Sequence, residues 1–116
     1  MNNLQTQNQD VIDKLVIAYN NHDARAFADF FSEDAMHGTL HTELLQHGRE
    51  EICQRYLEVF ATYPENRTEV LQRIAFGKFV IDHELVSRSS SAEPFHVVAI
   101  YTLEAGLITR LDFVRE

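Results

Sequence analysis

The chain reads as an α+β domain in which helices come first and an antiparallel sheet follows. Two observations predict this. Apolar residues recur at helical spacing up to Pro64, then at every second position from Thr68 to the end. The second half is also divided by short polar stretches, "SRSSSAEP" and "AG", of the kind that join neighbouring antiparallel strands. At 116 residues there is material for one core and one domain.

Taken in order, residues 1–8 are polar and expected to fray. Asp10 is placed to cap a first helix reaching about Asn20, whose Val11, Ile12, Leu15, Val16, Ala18 and Tyr19 share a face. Asp23 caps a second short helix, "ARAFADFF". "AMHGTL" predicts a strand with Ala35, His37 and Thr39 on one side, and "TELLQHG" a loop or short connecting element. A third helix starts near Gly48 or Arg49 and ends before Pro64, with Ile52, Cys53, Tyr56, Leu57 and Phe60 as its stripe. Strands follow at "TEVLQRIAFG", "GKFVIDHELVSRS", "FHVVAIYTLE" and "LITRLDFVRE". Both faces of "FHVVAIYTL" are apolar. Phe95, Val97, Ala99, Tyr101 and Leu103 occupy one face, Val98 and Ile100 the other. A sheet covered by helices on one side therefore needs a second cover, and a homodimer is the simplest.

Composition removes several functions. Apolar residues make up 45% and charged residues 24%, as in ordinary globular proteins. The net charge of −8, with no cluster of Lys and Arg, argues against nucleic acid or an anionic membrane as partner. The lone Cys53 leaves no disulfide framework, no apolar run reaches the roughly 18 residues of a membrane span, and no signal peptide is visible. A cytoplasmic location is the expectation. No cofactor motif is present: neither GxGxxG nor a phosphate-binding loop occurs.

Four stretches, "AYNNHDARAFADFFSEDA", "HGREEICQRYLEVF", "GKFVIDHELV" and "VVAIYTLEAGLITRLDF", together resemble the nuclear transport factor 2-like superfamily in its SnoaL-like and ketosteroid isomerase-like branch. The resemblance implies a cone: three N-terminal helices against the concave face of a strongly curved antiparallel sheet. A deep apolar pocket would open at one end, and the convex face would be free to dimerise. It does not imply one activity, because isomerases, cyclases, hydrolases, dehydratases and binding proteins share this scaffold.

Ketosteroid isomerases use a carboxylate base with a tyrosine and a protonated acid as oxyanion hole. Matched onto this chain, the base position falls on Thr39, the tyrosine on Leu15 and the acid near Val98, none of which has the required chemistry. The polar groups left for a pocket are chiefly imidazoles. His37 shares a strand face with Thr39, and His83 alternates with Phe79, Ile81 and Leu85 while Asp82, Glu84 and Arg88 take the opposite face. Each is either a proton carrier or a packed histidine satisfied by a hydrogen bond. Tyr19 and Tyr56 are candidates to line the pocket, and Asp112 either faces a pocket histidine or pairs with Arg110. Imidazoles rather than carboxylates are thus expected to reach the hollow.

His37, His41 and His47 are close in sequence but do not suggest a metal. Two strand residues four apart are roughly 13 Å from each other, too far to share an ion. Three functions remain open: acid–base catalysis on a small apolar, polyketide-like or steroid-like molecule with His37 or His83 as proton carrier; ligand binding without chemistry; or an interaction module working through the sheet.

Overall fold

A computed structural model describes residues 3–42 and 44–116. Its elements run α1 (Asn3–Asn20), α2 (Ala24–Asp29), β1 (Phe31–Thr39), β2 (Leu44–His47), α3 (Arg49–Thr62), β3 (Arg67–Phe76), β4 (Phe79–Ser87), β5 (Phe95–Glu104) and β6 (Leu107–Arg115). The six strands form one curved, unclosed sheet in the order β2-β1-β6-β5-β4-β3, with the helices on its concave side. The α+β class is therefore as the sequence pattern predicts, and the helices on a curved sheet are as the family resemblance implies. One pairing departs from the antiparallel expectation. β1 pairs antiparallel with β2 on one side but runs parallel to β6 on the other, the first strand of the chain being laid beside the last, so the sheet is mixed.

The helices follow their apolar stripes. Ile12, Leu15 and Ala18 of α1, Ala24, Phe27 and Ala28 of α2, and Ile52, Cys53, Tyr56, Val59 and Phe60 of α3 are all buried in one cluster with the inner face of the sheet. Asp23 caps α2 as expected, its Oδ1 accepting from the Ala26 amide at 3.0 Å. Helix α1 begins earlier than expected. In place of a frayed segment it is helical from Asn3, and Asn8, one turn before Ile12, is buried with its amide donating to the Gly77 carbonyl in the β3–β4 turn. A polar residue continues the buried face because a turn carbonyl meets it. Met1 and Asn2, part of the segment expected to fray, lie outside the described residues, as does Glu43 in the connection before β2.

Phase decides which strand residues reach the helices. On β5 the inward face is Val97, Ala99, Tyr101 and Leu103, four of the five residues that alternation groups together. Cross-strand partners share a face, and the ladder pairs Ala99 with Asp82 and Val97 with Glu84. The inward residues of β4 are therefore Val80, Asp82, Glu84 and Val86, and the outward ones Phe79, Ile81, His83 and Leu85. This reverses the expected phase. His83 sits on the outer face, where its Nε2 lies 2.9 Å from His96 Nδ1.

The buried acid Asp82 is held by Arg73 through two contacts, Nε–Oδ1 at 2.7 Å and Nη2–Oδ2 at 3.0 Å, and Arg73 reaches on to Asp13 of α1. The network ties β3, β4 and α1 together. No helix among the described residues is long and apolar enough to cross a membrane.

Candidate active site

Between the helices and the concave sheet lies a cavity of about 310 Å³. All three helices contribute to its wall, with Leu15 and Tyr19 from α1, Phe27 from α2 and Tyr56 from α3. The volume falls at the lower end of the range for small-molecule sites, and the wall mixes aliphatic and aromatic side chains with polar ones, among them His37, Thr39, Glu84 and three arginines.

His37 enters this cavity from β1. Its ring is buried between Tyr56 and Phe113, edge-on to both. Gln46 Oε1 lies 2.5 Å from Nδ1 and the Tyr56 hydroxyl 2.9 Å from Nε2. With the amide oxygen facing it, Nδ1 carries the proton and donates, so Nε2 is the lone pair that accepts from Tyr56. Burial pushes the imidazole down to about 4, against the opposing pull of the Gln46 hydrogen bond and with help from the charge of Arg55. At neutral pH His37 is uncharged and both ring nitrogens are occupied. It positions Tyr56 and is a weak proton acceptor. Burial likewise raises the Tyr56 phenol, so its hydroxyl stays protonated.

The group that sequence reasoning missed is Glu84. Its side chain lines the cavity from β4 and is only 5% exposed. Thr68 Oγ1 donates to Oε1 at 3.3 Å and the Tyr101 hydroxyl to Oε2 at 3.4 Å, both long contacts. Burial raises the carboxyl to about 7, with the neighbouring Asp82 charge pushing the same way and the two hydrogen bonds opposing. A carboxylate thus does reach the hollow, beside a tyrosine hydroxyl, and the expectation that only imidazoles would do so is corrected. The sequence signal lay in β5: its inward face was legible, and a neighbouring antiparallel strand must share that face across each pair.

The remaining candidates divide. Tyr19, Thr39 and Tyr56 line the cavity; the Tyr19 hydroxyl is held by the Asn66 amide. His83 and Asp112 do not. Asp112 pairs across the ladder with Ile100 and Gly38, on the face turned away from the helices, and its Oδ2 takes the Arg110 Nε at 2.9 Å. The histidine run disperses: His37 points inward, His41 takes a left-handed turn conformation at φ 61°, and the His47 amide donates to Glu51. Among the described residues no group of three or more His, Cys, Asp or Glu is arranged to hold a metal. Cys53 is a buried free thiol.

The SnoaL-like domain family model matches residues 12–111. A search of curated proteins by sequence gave no match. Among solved structures, an "uncharacterized cystatin fold protein" from Novosphingobium aromaticivorans is 27% identical, with 93% of this chain and 97% of that one covered at a TM-score of 0.87. A "putative SnoaL-like polyketide cyclase" from Jannaschia sp. CCS1 is similar in fold at 13% identity and a TM-score of 0.84, over 100% of this chain and 90% of that one. So is a "putative ketosteroid isomerase" from Kribbella flavida, at 18% identity and 0.81, over 96% and 78%.

Proposed function

The chain belongs to the SnoaL-like domain family, and from that premise we propose that it is an acid–base enzyme of isomerase, cyclase or hydrolase type, working on a small, largely apolar molecule held in the cavity. Glu84 is the proton carrier. The observation that carries this is the carboxyl at about 7 on the wall of an apolar hollow. Near neutrality such a group is populated both as base and as acid, the condition under which proton transfer in both directions is efficient. The carboxylate would take a proton from a carbon next to a carbonyl, and the carboxylic acid so formed would return it at another atom. Tyr101, already donating to Oε2, steadies the carboxylate. Tyr56, whose hydroxyl proton is held by His37, presents only an acceptor lone pair to a ligand and would orient a ligand hydroxyl or N–H.

The test is proton exchange. Apolar cyclic ketones incubated with the protein in D₂O should lose α-proton NMR signal faster than in buffer, with a rate that rises through pH 7. Glu84→Gln should abolish the excess. Ligand binding without exchange would leave the cavity a carrier site and remove the catalytic reading.

The outer face of the sheet supports a homodimer. Ladder pairing places Ile74, Ile81 and Ile100 in one row and Val98 beside Val114. Ile74 is 62% exposed, and Asp112, which faces Ile100 across the ladder, is paired with Arg110. A second copy is the occupant proposed, because an apolar row at the middle of the face can meet the same row of a second copy across a two-fold axis. Sedimentation should give a dimer that Ile100→Glu converts to monomer; a wild-type monomer would end the proposal. A cytoplasmic setting, where the single Cys53 stays reduced, goes with this reading.

A further inference from the structure

We propose that the cavity's ligand is an apolar molecule bearing a carboxylate, with that carboxylate held at the mouth by Arg88 and Arg115 and the apolar body directed inward toward Glu84. This substrate class rests on the cavity being a ligand site, as argued above.

Three arginines, Arg55, Arg88 and Arg115, contribute to a cavity wall that is otherwise mostly apolar. Acids outnumber bases in the chain by eighteen to ten, and Arg25, Arg73 and Arg110 all have carboxylate partners. Among the described residues the three cavity arginines have none, as is true of Arg49 and Arg67 outside the cavity, but only the cavity three gather around one hollow. Arg88 Nη1 donates to the neutral Asn66 Oδ1 at 3.1 Å. Its guanidinium also lies over the Tyr63 ring at 4.5 Å and the Phe95 ring at 5.3 Å, and Arg115 lies over the same Phe95 ring at 5.7 Å. Two guanidiniums gathered on one phenyl ring repel each other. The ring faces attract each cation, but the pair still lacks an anion in a protein rich in them. Their field extends inward: Arg55 and Arg115 both weaken proton binding at His37 and Tyr56.

A carboxylate suits this mouth. The planar guanidinium fork binds it with two parallel hydrogen bonds. It carries one negative charge, whereas a phosphate ester carries nearly two, and the interior already contains Glu84, so the monoanion is the smaller electrostatic load. Anchored at the rim, a ligand would present its apolar end to the carboxyl that moves the proton.

The experiment is calorimetric titration with 2-naphthylacetate and its uncharged counterpart, 2-naphthylacetamide, at pH 7 and low salt. Both have the same two-ring body, so their affinity ratio isolates the charge. The acid should bind at least about tenfold tighter. The ratio should collapse toward one in Arg88→Gln/Arg115→Gln and shrink as salt is added. Arg115→Gln alone, near the exposed chain end, should reduce the ratio partway and serves if the double variant fails to fold. Equal binding of acid and amide to the wild type, or a ratio untouched by these substitutions, overturns the proposal while leaving the cavity a ligand site. Binding of neither overturns both.

Discussion

Glu84 should cost the fold stability, by an amount that depends on pH in a calculable way. Its carboxyl is raised from 4.5 to about 7. A raised carboxyl binds its proton more tightly folded than unfolded. The stability this provides is complete below pH 4.5, where both states are protonated, and is lost as pH rises through 7, where the buried group must ionise. Over that range the difference between folded and unfolded states amounts to about 3 kcal/mol. Glu84→Gln keeps the shape and hydrogen-bonding ability of the neutral acid and cannot ionise. It should therefore match the wild type to within about 1 kcal/mol at pH 4. It should exceed it by about 3 kcal/mol at pH 8, or roughly 10 °C in Tm for a domain of this size.

The wild-type curve alone would hide this. His37, lowered from 6.5 to about 4, has the opposite slope: its stability is complete above pH 6.5 and is lost as pH falls through 4, where the buried ring must charge. Between 4.5 and 6.5 the two slopes cancel. The difference between variant and wild type separates them, because His37 is common to both. Urea unfolding at half-unit steps from pH 4 to 8 is the assay. A difference that stays flat across that range, or favours the wild type at pH 8, would refute both the burial of the carboxyl and the catalytic role built on it.

Two further outcomes follow from the same geometry. The His37 ring followed by ¹⁵N-resolved NMR should remain the Nδ1-protonated neutral tautomer down to a midpoint near pH 4; a midpoint near 6.5 would show that the ring is solvated. Asp82→Asn leaves Arg73 without its buried counter-charge and should cost about 3–5 kcal/mol in urea unfolding. Replacing both partners with leucine should recover most of that; equal losses in the two variants would mean that the pair contributes through packing alone.

Much of the fold was legible. Helix stripes, the Asp23 cap, the third helix ending before Pro64 and the four late strands all follow from period and punctuation, which are local signals. What was not legible depends on distant partners. The parallel β1–β6 pairing joins residues some seventy positions apart, such as His37 and Leu111, and no local pattern encodes it. The burial of Asn8 in α1 is met by a carbonyl at Gly77, sixty-nine positions away. In the site, alternation grouped His37 with Thr39, and the family resemblance, which puts a base position on Thr39, turned that face toward the cavity; on β4, hydrophobicity alone chose the wrong face.

That failure bears on what the site is for. Counted by hydrophobicity, β4 should bury Phe79, Ile81 and Leu85 and show Asp82 and Glu84 to water. The fold does the reverse, and the seven residues 88–94 between β4 and β5 leave a connection long enough to permit either phase. Two compensations make the observed phase tenable. Arg73 neutralises Asp82, and Glu84 escapes the full cost of a buried charge by holding its proton up to about pH 7. Neither makes it the more stable arrangement for β4 by itself, since the displaced Phe79 and Ile81 then lie on the outer face. A strand that gives up local consistency in this way, placing a half-ionised acid on a cavity wall and an apolar row outside, is spending stability at the positions where a pocket and a partner would use it. The stability that Glu84→Gln recovers at high pH is therefore the same quantity that keeps the carboxyl ready to exchange a proton, and exchange activity and the pH-dependent destabilisation should vanish together in that variant.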